Sequence, residues 1–125
     1  MPLRCLIVDD NASFREEAGA LLREQGIDVV GSAASGGEAL GQVARLAPDV
    51  ALVDIDLGDE RGLDLARELG ARGNGRPTVP VILISTHDER EYADLIAATP
   101  VVGFVAKAEL TAQAIHDVLS RARPD

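Results

Sequence analysis

Five apolar runs, each the length of a β-strand, punctuate this chain and leave between them stretches long enough for a helix. They are Leu6-Ile7-Val8, Ile27-Asp28-Val29-Val30, Val50-Ala51-Leu52-Val53, Val81-Ile82-Leu83-Ile84 and Val101-Val102-Gly103-Phe104-Val105. The first, third and fourth are unbroken, which suits strands of a parallel sheet covered on both faces. The intervening stretches carry helical periodicity. Phe14, Ala18, Leu21 and Leu22 fall on one stripe, and Ser13-Phe14-Arg15-Glu16 reads as a capping box opening that helix. Ser35-Gly36-Gly37-Glu38 repeats the signal before Ala39, Leu40, Val43 and Ala44, with Pro48 as the stop. Further helices are predicted over Gly62–Gly70, Glu89–Ala98 and Thr111 to about Arg121. Five alternations of strand and helix predict a doubly wound α/β sandwich with right-handed crossovers. At 125 residues the chain suits one domain. Residues 71–78, rich in Gly and polar groups, read as a loop.

Composition narrows the function. A formal net charge of −9 opposes direct nucleic-acid binding, because a polyanion would be repelled. No apolar run is long enough to cross a bilayer, and the first one ends in two acids rather than in a small-residue cleavage site. Cys5 is the one cysteine, so no internal disulfide can form, and a reducing cytoplasm is the expected setting.

In an open α/β sheet, ligands bind outside the carboxyl ends of the strands. The first run ends in Asp9-Asp10, the third in Asp54 with Asp56 two residues on, the fourth in Ser85-Thr86 and the fifth in Lys107. Each alone reads as a solvated strand end or a helix cap, and Asp10 or Asn11 could cap the first helix. Together they form a chemical set. Clustered carboxylates repel one another and call for a cation. Oxygen ligands without His or Cys suit a hard divalent ion, Mg²⁺ being the common choice. Asp54 is then free to act as a nucleophile. Mg²⁺, Lys107 and the Ser85 hydroxyl would supply the positive charge and donors that a phosphoryl group in transfer requires.

These motifs, Leu6-Ile7-Val8-Asp9-Asp10, Ala51-Leu52-Val53-Asp54-Ile55-Asp56-Leu57, Val81-Ile82-Leu83-Ile84-Ser85-Thr86 and Gly103-Phe104-Val105-Ala106-Lys107, resemble the receiver domain of two-component response regulators. The resemblance runs from Leu3 to about Arg121 and covers nearly the whole chain. It implies a flavodoxin-like five-stranded parallel sheet in the order 2-1-3-4-5. It implies Asp54 as phosphoacceptor, with Asp9 and Asp10 as Mg²⁺ acids and the backbone carbonyl of Asp56 as a further ligand. Ser85 would be the switch hydroxyl, Lys107 the phosphoryl-binding lysine and Phe104 the switch aromatic. Asp56 and His87 sit at positions that tune phosphoryl lifetime. The phosphodonor would be a histidine kinase or a small acyl phosphate. The readout would be the face of helix four, strand five and helix five, including Tyr92, Asp94, Leu95, Phe104, Ala112, His116 and Arg123, acting on an output domain or downstream protein, with a homodimer through that face. One receiver over residues 1–125, without an output domain, is expected.

Two departures from the family pattern stand out. Ala108 replaces the Pro common after the lysine, so a trans bond is expected there, and Gly58 replaces a Pro common four residues after the phosphoacceptor. Lys107-Ala108-Glu109-Leu110 is closer to receivers that carry helix-turn-helix outputs. Three rival readings remain. Asp54-Ile55-Asp56 also matches the Asp-x-Asp of haloacid-dehalogenase-type phosphatases, although those usually begin with that strand. A flavodoxin-like cofactor binder would need a phosphate loop where Asp9-Asp10 stands. A receiver-like module that binds without phosphorylation would retain the same residues.

Overall fold

A computed structural model describes residues 2–58, 60–70, 79–86 and 93–122. The predicted loop over 71–78, His87, Tyr92 and Arg123 lie outside them. The elements run β1 (Arg4–Val8), α1 (Ala12–Glu24), β2 (Asp28–Ala33), α2 (Gly36–Leu46), β3 (Val50–Asp54), β4 (Asp56–Leu57), β5 (Glu60–Arg61), α3 (Gly62–Gly70), β6 (Val81–Ser85), α4 (Ala93–Ala97), β7 (Gly103–Ala106) and α5 (Ala112–Ala122). All four pairings of the main sheet are parallel. Its order is β2-β1-β3-β6-β7. Counted among the sheet's own five strands, this is 2-1-3-4-5. The labels are displaced by an antiparallel ribbon, β4–β5, that stands outside the sheet and that the sequence pattern did not announce.

Alternation along the strands builds two cores. Leu6, Val8, Ala51, Val53, Val81 and Leu83 face one layer, where Ala39 and Val43 of α2, Leu63, Ala66 and Leu69 of α3 and, half-buried, Ile96 of α4 pack on them. Cys5, Ile7, Val50, Leu52, Ile82, Ile84 and Val105 face the other, covered by Ala18 and Leu22 of α1 and Ile115 and Val118 of α5. With scarcely any aromatic residue available, both cores are aliphatic, and the central strands β3 and β6 are buried along their whole length.

The helix starts show which sequence signals prevailed. At α2 the expected cap forms: Ser35 Oγ accepts from the Glu38 N–H at 3.3 Å, while Glu38 Oε2 reaches one residue further back and accepts from the Ala34 N–H at 3.2 Å. At α1 the expected Ser13 box does not form. Asn11 is the cap instead, its Oδ1 accepting from the Phe14 N–H at 3.2 Å, so the helix starts before Ser13. Leu21 departs from the buried stripe and is 40% exposed, leaving Phe14, Ala18 and Leu22 at four-residue spacing to face the sheet. Ala112, expected on a readout surface, is buried in the α1–α5 core, and its N–H donates to Gln25 Oε1 at 2.7 Å across to the end of α1. No cis peptide occurs among the described residues, and Lys107–Glu109 form a 3₁₀ turn leading to α5.

At the edge strand β2, side chains occupy outward carbonyls. Arg23 Nη2 donates to Val29 O at 3.3 Å and Gln42 Nε2 to Ser32 O at 2.6 Å.

Candidate functional site at the carboxyl edge of the sheet

The alternation that buries Cys5 and Ile7 on the α1–α5 side carries Asp9 to that side also. Val50 and Leu52 do the same for Asp54, and Val105 for Lys107. Three charged residues from three strand ends therefore meet on one side. Lys107 Nζ lies 3.0 Å from Asp54 Oδ2 and 2.5 Å from Asp9 Oδ2. The first contact is a hydrogen bond. The second is an ion pair, and among the described residues Asp9 Oδ2 has no hydrogen-bond donor in good geometry. Asp9 is fully buried, and the side chains of Asp54 and Lys107 keep 9% and 13% of their exposure.

The remaining oxygens are anchored by backbone. Asp54 Oδ1 accepts from the Asp56 N–H at 3.0 Å, and Asp9 Oδ1 accepts from the Asn11 N–H at 2.9 Å. Arg15 Nη1 donates to the Asp9 carbonyl at 2.5 Å. Burial pushes the Asp54 carboxyl above the usual carboxylate range; the Asp56 N–H and Lys107 oppose that shift, and the neighbouring charge of Asp9 adds to it. For Lys107 burial acts downward, but its close pairing with Asp9 and Asp54 outweighs it and holds the ammonium above its ordinary value.

Asp10 completes the cluster from the exposed side. Carboxylate oxygens of Asp9, Asp10 and Asp54 all lie within 4.8 Å of one another. An oxygen-only set containing a buried, under-satisfied Asp9 oxygen fits a hard divalent cation.

Two glycines shape the rim. At Gly62, which opens α3 and donates its N–H to Ile55 O at 2.7 Å, a Cβ would collide with the Asp54 carbonyl oxygen. Only glycine allows the ribbon to fold back this closely behind Asp54. Gly58 has φ +66°, in the left-handed region, and a Cβ there would lie 3.2 Å from Asp10 Oδ2. A proline, fixed near −65°, cannot adopt this turn.

Ser85, 3% exposed, ends β6 one residue beyond Ile84, the register partner of Asp54. It shares the parity of Val81 and Leu83, so it reaches the carboxyl edge from the face opposite to Lys107. Phe104 pairs with Leu83 on edge strand β7 and is half-buried against the α2–α4 layer. Asp56 is exposed at the start of the ribbon, opposite Arg61. The structure thus brings together Asp9, Asp10, Asp54 and Lys107, sets Ser85 and Asp56 beside Asp54 along the chain and sheet register, and keeps Phe104 further along the edge. His87 is outside the described residues. Sequence reading missed Phe14 at this site: its ring centroid lies 4.3 Å from Lys107 Nζ. Its place on the helical stripe marked it only as a core residue.

Known proteins resemble this chain. The family model described as the response regulator receiver domain matches residues 5–120. A protein-glutamate methylesterase/protein-glutamine glutaminase of Alkalilimnicola ehrlichii is 40% identical over 102 residues, 78% of this chain and 25% of that protein. The transcriptional regulatory protein DegU of Brevibacillus brevis is 32% identical over 118 residues, 94% of this chain and 48% of that protein. The chain therefore spans a quarter to about half the length of these curated relatives. Among solved structures, the signal receiver domain of NarL from Mycobacterium tuberculosis superimposes with a TM-score of 0.80 at 30% identity, covering 99% of this chain and 98% of that one. A LuxR-family two-component regulator from Aurantimonas sp. SI85-9A1 gives 0.83 at 26%, covering 98% and 89%. No helix among the described residues is long and apolar enough to cross a membrane. A sheet edge of this composition, on this fold and with these relatives, makes the chain a member of the response regulator receiver domain family.

Proposed function

We propose that this chain accepts a phosphoryl group on Asp54 and that the modified site controls a partner or output domain through α4, β7 and α5. The observation that carries the reading is the nearly buried Asp54, held at Oδ1 by a backbone N–H and at Oδ2 by Lys107, with the carboxylates of Asp9 and Asp10 alongside. In the step, an Asp54 oxygen lone pair forms a bond to phosphorus. The bond from phosphorus to the donor breaks, and its electron pair leaves with the donor, either the imidazole of a histidine kinase or the carboxylate of an acyl phosphate. Asp9, Asp10, Asp54 and the Asp56 carbonyl would hold Mg²⁺, which would supply charge neutralisation there. Lys107 and Ser85 then bind phosphoryl oxygens from opposite faces of the sheet, drawing the end of β6 toward the phosphoryl group and shifting Phe104 inward. Asp56 and His87 set the lifetime of the acyl phosphate. Moving such a switch from mostly off to mostly on takes roughly 5 kcal/mol of differential stabilisation, the scale of several charge-assisted hydrogen bonds at a dry site. The domain doing this spans about residues 3–121, acts in the cytoplasm and has no turnover beyond its own phosphorylation and dephosphorylation.

Incubation with Mg²⁺ and acetyl phosphate, followed by intact-mass measurement, tests the reading. Gain of one base-labile phosphoryl group by the wild type and none by Asp54→Asn is the expected result. No gain by the wild type from acetyl phosphate or from a panel of histidine kinases would replace this reading with a binding module that works without phosphorylation.

A further inference from the structure

Phe14 lies in the first turn of α1 and belongs to no reacting group, yet its ring faces the site. Among the described residues, three contacts surround the Lys107 ammonium: Asp9 Oδ2, Asp54 Oδ2 and the Phe14 ring. Both oxygens belong to strand ends and pull toward the sheet edge. The ring, supplied by a helix, closes a further direction with an apolar, electron-rich face. Its position is well determined. The Phe14 N–H is held by the Asn11 cap, the Asn11 N–H by Asp9 Oδ1, and the side chain packs on the core that includes Ala18 and Leu22. Lysine is a flexible four-carbon stem ending in a compact charge that water solvates strongly. Two carboxylates alone leave such a group free to exchange one of them for solvent. A ring at 4.3 Å removes water from that side and favours the charged head where it stands.

We propose that Phe14 is a positioning residue for Lys107, holding the ammonium over the Asp9–Asp54 pair so that it meets the phosphoryl group without a search. The inference rests on the phosphoacceptor reading above for its kinetic consequence, but not for the contact itself. The ring contact would move the Lys107 ε-CH₂ protons upfield in the unphosphorylated protein, a signature that simple core packing by Phe14 would not give to Lys107.

Two readouts decide it, each with Phe14→Leu, Phe14→Tyr, Lys107→Met and the Phe14→Leu/Lys107→Met double variant. By ¹³C-resolved NMR, the Lys107 ε protons are expected upfield in wild type and Phe14→Tyr, and near ordinary lysine positions in Phe14→Leu. With acetyl phosphate and Mg²⁺, Phe14→Leu is expected to phosphorylate about threefold to tenfold more slowly, the range of a partly desolvated cation–π contact. Phe14→Tyr is expected to stay near wild type. On the Lys107→Met background, Phe14→Leu is expected to have no further effect. Unshifted ε protons in the wild type would overturn the proposal, as would an equal rate loss on the Lys107→Met background, which would assign Phe14 to packing alone. A wild type inert to every donor would overturn the phosphoacceptor reading, and the proton shifts would still decide whether Phe14 holds Lys107.

Discussion

The two ends of the sheet solve opposite problems. At the amino ends of β1 and β3, polar groups are exposed and paired reciprocally. The Arg4 N–H donates to Asp49 Oδ2 at 2.9 Å, the Asp49 N–H to Arg4 O at 2.8 Å, and Arg4 Nη1 to Ala47 O at 2.9 Å. Ala47 is the left-handed cap of α2, with φ 46°, and Pro48 follows it. At the carboxyl ends of the same strands two carboxylates are buried within reach of each other, and a single lysine answers both. The first arrangement stabilises the fold and carries no surplus charge. The second leaves one buried Asp9 oxygen short of a hydrogen bond among the described residues, a shortfall that a bound cation would make good.

If this contrast is right, substitutions at the two ends differ in size and in their response to metal. The largest effect is expected from Lys107→Met. Without the ammonium, Asp9 and Asp54 face each other uncompensated, and breaking a buried charge pair at one partner costs about 3 kcal/mol or more. Urea unfolding at pH 7 in metal-free buffer would measure the loss, and Mg²⁺ is expected to recover more stability in this variant than it adds to the wild type. An unchanged midpoint would mean that Lys107 is not shielding the acids.

A smaller effect of opposite sign is expected from Asp54→Asn. Because burial raises the folded carboxyl above its ordinary value of 3.8, Asp54 binds its proton more tightly folded than unfolded. Its favourable contribution is complete below the unfolded value and is lost as pH rises through the folded one. Removing the charge is therefore expected to stabilise the protein at pH 7, with the gain shrinking steadily on acidification toward 3.8. Thermal melts of the two proteins across that range would show the convergence, and a constant offset would contradict the assignment.

The smallest effect belongs to the amino end. Asp49→Ala removes one exposed acceptor from the Arg4 N–H, with an expected loss of about 0.5–1 kcal/mol that is indifferent to Mg²⁺. A metal-dependent change there would blur the distinction between the two ends.

The fold was legible because the informative residues are numerous and repetitive. Aliphatic runs such as Val81–Ile84 have few alternatives to a covered strand, and their parity carries Asp9, Asp54 and Lys107 to one side without further information. The ribbon Asp56–Leu57 with Glu60–Arg61 was not legible, since two-residue strands have no period to detect. The start of α1 was ambiguous because Asn11 and Ser13 are both good caps. Asn11 prevails where Asp9 takes its N–H and turns the chain. Phe14 was read incompletely for a different reason. One ring can pack on Leu22's core and also lie over a lysine 93 residues away, and helical spacing reports only the first.

The capped outer edge of β2 bears on how these molecules behave when crowded. An open parallel edge is a template on which a second chain can add a strand and start a growing stack. Here a newcomer would have to displace the guanidinium of Arg23 from Val29 O and the carboxamide of Gln42 from Ser32 O before forming its own ladder. Two long polar side chains, one from each flanking helix, thus act as gatekeepers, and they bias the protein against polymerising through this margin at high concentration.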